Sequence, residues 1–221
     1  MRLVLLPLVG LILGVFQPAL ASAGEGSAVL EPGSGKDAAA RARYVQDTQE
    51  LEKLAQKNAW TGAERTFRDM QDLGVALSFN DYYLGAHAAR ATGDITSTRQ
   101  RLMAANKVRE DKGVLDWMWE IDSNYGVVYL AADPGAVPLE PEAMPFDPVQ
   151  ASAVTFAQQC LAQQGVFEGY LPQGNYQFGP HKVPVQPRVQ ATNIDLRTEE
   201  GQREVEKIKK KDAKKKKAAQ G

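Results

Sequence analysis

Trp60, Ala63, Phe67, Met70 and Leu73 recur at steps of three and four, which places all five on one stripe of a helix and commits that helix to bury a face against a partner. The spacing returns downstream. Setting Ile95 on Trp60 brings Thr98 onto Ala63, Leu102 onto Phe67 and Ala105 onto Met70, a shift of 35 residues. Leu51, Leu54 and Ala55 mark a helix before the first stripe, ending near Lys57 and Asn58. Asp81 is the expected N-cap of a third helix running to Thr92, Gly93-Asp94 is the turn after it, and Thr96 or Ser97 starts a fourth.

A helical hairpin cannot bury its apolar face alone, and a stack needs about three such units. In VLDWMWEID, residues 114–122, Leu115, Trp117, Met118 and Ile121 offer a further helix to close the stack. Trp117 and Trp119 sit too close in sequence to share a helix face. A joint sugar platform beside Asp116 and Glu120 is therefore disfavoured against packing.

Ala63 and Phe67 in an A-x3-F spacing, Gly93-Asp94 at the inter-helix turn, Leu102 and Ala105 in the last helix, and Leu84-Gly85 one place out of register together resemble tetratricopeptide repeats, helical hairpins of about 34 residues. Thr98 stands where the family prefers a small alanine, and no proline closes either unit. The resemblance covers residues 44–112. It implies a concave surface that holds a protein segment, with Tyr82, Tyr83, His87 and Arg90, on the first helix of the second repeat, as the contact residues.

After Asn124-Tyr125-Gly126 the pattern becomes that of strands, first VVYLAA and then a Pro- and Gly-rich region through Pro145. Asp147-Pro148 is a helix start, acid N-cap then proline at the first helical position, and Gly165 stops that helix after Gln164. In FEGYLPQGNYQFGPHKVPV, residues 167–185, LPQGNY reads as one hairpin connection and Gly179-Pro180 as the next turn. Pro184 cannot donate to a ladder, so its strand is expected at an edge. RVQATNIDL supplies a last strand.

The run GYLPQGNYQFG followed by VPV is similar to the hairpins of PEGA and carboxypeptidase-regulatory-like sandwiches, small β modules of envelope and secreted proteins. That likeness implies surface binding rather than catalysis, although the helix 148–164 is outside its usual pattern. Tyr170 and Tyr176 are the residues that could stack on a carbohydrate, and filling a core is the competing use of such residues at strand spacing.

Both ends are distinctive. Met1-Arg2, the apolar run from Leu3 to Val15 and Ala21-Ser22-Ala23 form the pattern of a signal peptide cleaved near Ala23, and the apolar run is shorter than the roughly 20 residues needed to span a bilayer. Residues 24–43, rich in Gly, Ser and Pro at the start, read as a flexible linker. GSGK within them lacks the Gly and Ser/Thr of a phosphate loop, with Leu30 and Asp37 in those places. Between Arg203 and Lys217 eight lysines and one arginine face three acids, so a net charge near zero conceals a strongly basic tail. Lys209, Lys210, Lys211, Lys214, Lys215, Lys216 and Lys217 would meet an anionic envelope polymer or a membrane surface. Nucleic acid is a weaker partner, because export removes it and no aromatic residues interleave with the lysines.

Catalysis finds little support. Cys160 is the single cysteine, so no internal disulfide is available, and it sits at a helical position suited to filling a core. His87 and His181 are the two histidines, with no metal-ligand spacing, and GxSxG is absent. No cofactor is expected. The expectation is an α+β chain: signal peptide 1–23, linker 24–43, short antiparallel helical hairpins over 44–122, a small antiparallel sandwich-like β module with one inserted helix over 123–198, and a lysine-rich tail, 199–221. Its expected function is exported, non-catalytic binding of an envelope protein, and the alternative is a carbohydrate or cell-wall module tethered by the tail.

Overall fold

The computed structural model describes residues 35–198 and, beyond them, residues 201, 203, 206, 207 and 210. The expected signal peptide, the first part of the linker and every tail lysine named above except Lys210 lie outside the described residues. Helix α1, Gly35–Gln56, takes in the end of the expected linker, because the alanine-rich DAAARAR is a strong helix former. Helix α2, Trp60–Asp72, buries Ala63, Phe67 and Met70 of the expected stripe together with Glu64, while Trp60 is half-buried and Leu73, also half-buried, is the C-cap.

Helix α3 is Phe79–Thr92 and α4 is Ile95–Val108. Both begin earlier than expected. Ser78, not Asp81, is the N-cap of α3: its hydroxyl accepts from the Asp81 amide while the Asp81 carboxylate accepts from the Ser78 amide, a reciprocal capping box. Asp94 caps α4 by accepting from the Ser97 amide at 2.9 Å. Helix α5, Lys112–Asn124, buries Val114, Trp117 and Ile121. Leu115 points outward instead, and Val114 takes the place expected of it.

The odd-numbered helices touch one another, and so do the even ones. Tyr44 of α1 donates to Asp81 of α3 at 2.6 Å, and Arg90 of α3 donates to Glu120 of α5 at 2.7 Å. Arg101 of α4 reaches across to Glu64 of α2 at 2.5 and 2.8 Å. The five helices thus alternate between two layers.

Strand β1, Tyr125–Ala131, follows α5 without a loop. The other elements are β2 (Leu139–Pro141), α6 (Pro148–Gln164), β3 (Val166–Pro172), β4 (Gly174–Phe178), β5 (His181–Val185) and β6 (Thr192–Asp195). They form two three-stranded sheets, β3-β1-β6 and β2-β4-β5. LPQGNY is not a hairpin. Strand β3 pairs with β1 and β4 with β2 and β5, so Pro172–Gly174 carries the chain from one sheet to the other. β6 runs parallel to β1, with Leu130 opposite Ile194. The β4–β5 hairpin and the edge position of Pro184 follow the expectation.

Both sheets and α6 share one core containing Val128, Leu130, Phe167, Leu171, Phe178 and Val183. A second core joins the helices to this half: Ile95, Leu102, Val114 and Trp117 pack with Tyr125 of β1 and Ala153 of α6. Gly93, the C-cap of α3, has φ +89°, and a Cβ there would stand 2.3 Å from the carbonyl oxygen of Ser152 in α6. The chain is therefore α+β, with its helical half docked on its β half.

Candidate functional site

The i, i+4, i+7 spacing of Tyr83, His87 and Arg90 puts these three residues along one stripe of α3, and Trp117 of α5 meets all of them. Ring centres lie 4.8 Å apart for Tyr83 and His87, 4.6 Å for His87 and Trp117, and 5.9 Å for Tyr83 and Trp117. Trp60 stacks on His87 with ring centres 6.0 Å apart. The Arg90 guanidinium lies 5.1 Å from the centre of the Trp117 ring while it also pairs with Glu120, so it fastens α3 to α5 rather than offering a free charge. Tyr82 belongs elsewhere: it packs edge-on to Phe67 in the core between α1, α2 and α3.

Three of the four expected contact residues thus come together, and two of them, Tyr83 and His87, wall a groove of about 550 Å3. Its other walls are Leu84, Trp60 and Ala55, and its polar rim is Glu52, Gln56 and Asn80. The Asn80 amide donates to the Glu52 carboxylate at 3.1 Å, closing the rim between α1 and α3. His87 is half-buried, and burial first, then the nearby Arg90 charge, hold its pKa below the usual 6.5. The imidazole is therefore neutral at pH 7 and adds an aromatic wall rather than a cation.

The two tyrosines of the carbohydrate alternative lie in different places. Tyr176 is buried, and its hydroxyl donates to the Pro172 carbonyl at 2.8 Å; stacking on a ligand would require the core to open. Tyr170 is half-buried and walls a second cleft of about 470 Å3 with Trp119, Tyr125 and Val127. Trp119 is 65% exposed, whereas Trp117 is 8% exposed, so the two do face apart. A larger cavity, about 700 Å3, lies between α2, α3 and α6 and includes Arg65, Arg68 and Glu64. There Glu64 already holds Arg68 and Arg101.

Cys160 packs beside the β core, and burial raises its thiol pKa, which disfavours the reactive thiolate. Among the described residues no cluster of His, Cys, Asp or Glu could hold a metal ion, and no helix is long and apolar enough to cross a membrane. Lys210 is exposed and lies 3.5 Å from Glu206. Three features escape a reading of the sequence by pattern. Periodicity places Trp60 wholly in the packing stripe, yet its ring also walls the groove. Glu64 and Arg101 are charges on apolar stripes, a mismatch that signals a buried pair. Arg188 follows a proline at a turn and adopts a positive φ, which its residue type does not signal, since glycine and asparagine are the usual markers of that conformation.

Compared with protein-family models, with curated proteins and with solved structures, the chain matches none of them.

Proposed function

We propose that this chain is an exported, non-catalytic interaction protein of the cell envelope, holding a segment of another protein in the groove between α1 and α3. The observation that carries the reading is the wall formed by Trp60, Tyr83 and His87, whose rings remain partly exposed around about 550 Å3 of open volume. Aromatic rings of this kind supply contact area with little loss of conformational entropy, and a partly apolar groove with a polar rim suits an apolar side chain flanked by main-chain amides. Glu52, Gln56 and Asn80 supply that rim. The tetratricopeptide resemblance points to the same helix.

Export rests on the apolar N-terminal run followed by Ala21-Ser22-Ala23. The lysine-rich tail adds an electrostatic tether to an anionic envelope polymer or membrane surface, which salt would weaken. Replacing Tyr83 and His87 together by alanine tests the groove. Partner capture from an envelope extract should fall at least about tenfold, the size expected when two central aromatic contacts of an interface are truncated, while the fold survives. Undiminished capture at high salt refutes the assignment.

A further inference from the structure

We infer that the cleft between the end of α5, the outer face of β1 and β3 and the turn after β5 binds an acidic sugar, a uronic-acid unit of a glycan. The inference is independent of the α1–α3 groove, since the two sites share no residue. Trp119 offers a flat ring that is 65% exposed, and Tyr170 and Val127 continue the apolar wall into about 470 Å3 of space. A pyranose presents such a wall with a face of C–H groups, its hydroxyls directed sideways.

Arg188 gives the site its charge. Its φ is +59°, a left-handed conformation that glycine or asparagine adopts at far lower cost, so a local strain accompanies an arginine at this turn. That backbone brings the guanidinium to the cleft, where Nη2 donates to the Ser123 hydroxyl at 3.0 Å. Among the described residues no carboxylate pairs with it. Arg188 lies over the Trp119 ring at 5.8 Å from its centre, a looser contact than the 3.9 Å of Arg109 on Phe79 or the 4.2 Å of Arg101 on Phe67, and the Trp119 side chain stays 65% exposed beside it. Asp122, in the same cleft, is held in a fork by Arg99 at 2.7 and 3.0 Å. It keeps acceptor capacity for ligand hydroxyls.

These features select among ligands. A neutral sugar leaves the Arg188 charge unanswered, and an aromatic acid brings no hydroxyls to Asp122. A peptide strand finds no free main chain on β1, which lies between β3 and β6. A uronate meets all three demands: ring face on Trp119, hydroxyls toward Asp122, and carboxylate on Arg188 in a charge-assisted pair.

The test is calorimetric titration of the full chain with trigalacturonate and with its neutral, carboxyl-reduced counterpart. The acidic trisaccharide should bind at least about tenfold more tightly than the neutral one, and R188G and W119A should each weaken it by about tenfold or more. R188G also removes the strained side chain, so its thermal midpoint should not fall, and loss of binding cannot then be ascribed to unfolding. Equal binding by R188G would place the uronate on the lysine-rich tail and overturn the inference. So would equal affinity for the neutral trisaccharide, or no binding at millimolar ligand.

Discussion

Glu64 and Arg101 are the residues on which the helical layers depend most. They are 7% and 6% exposed, and Arg101 also donates to the Gly85 carbonyl at 2.6 Å and lies over the Phe67 ring. Glu64→Gln leaves a buried guanidinium without its counter-charge, and should cost about 3 kcal/mol in a denaturant titration. Burial alone would raise the Glu64 pKa, but the hydrogen bonds and charges of Arg101 and Arg68 outweigh it and hold the carboxyl below 4.5. A depressed carboxylate pKa stabilises the fold above the unfolded value and loses that contribution as pH falls through the folded one. Stability should therefore decline below about pH 4.5, with a shallower slope in Glu64→Gln. His87 acts in a higher window. Its lowered pKa means that protonation favours the unfolded chain, so its contribution is complete above the usual 6.5 and is lost as pH falls through the depressed value. Replacing His87 by phenylalanine should flatten the stability profile just below pH 6.5, and an unchanged profile would remove His87 from the account.

At the scale of elements, the helices were legible because their signals are local. The stripe of α2, the Gly93 turn and the Asp147-Pro148 start of α6 each lie within a few neighbouring residues; the turn and the start stand where expected, and so do the three central residues of the stripe, Ala63, Phe67 and Met70. Caps were less legible: Asp81 looks like an N-cap until Ser78 is seen to form the reciprocal bonds with it. Strand pairing was legible only in part. The Gly179-Pro180 hairpin is local, but nothing near Pro172 or Thr192 reveals that β3 leaves its sequence neighbour for β1 or that β6 lies parallel to β1. Periodicity placed Tyr83, His87 and Arg90 on one stripe of α3, but only Tyr83 and His87 wall the groove; Trp60 joins them from α2, Arg90 is tied to Glu120 of α5, and Tyr82 turns to the core. Gly93 is where two elements meet. Gly93→Ala combines φ +89° with a clash against the Ser152 carbonyl and should cost about 2–4 kcal/mol. Gly74→Ala, at φ +67° with open space around it, should cost only about 1 kcal/mol by the same melting measurement.

Across the whole molecule, the helical half is not a self-sufficient stack. Its second core needs Tyr125 and Ala153, with Val149 and Tyr170 packed against them, so α6 and the first sheet supply the face that a third helical unit would otherwise cover. Residues 35–124 alone should unfold without a cooperative transition by circular dichroism. Full cooperativity at the parent midpoint would show that docking is dispensable. The docked β half leaves the α1–α3 groove open, and the protein's proposed role rests on that groove. A photo-reactive amino acid placed at Leu84 or Gln56, in the groove, and in separate samples at Met103 or Lys107, on the exposed side of α4, measures which surface meets a partner in an envelope extract. The account predicts a discrete protein adduct at Leu84 and Gln56 and none at the α4 positions. Adducts formed equally at all four, or only on α4, would contradict it.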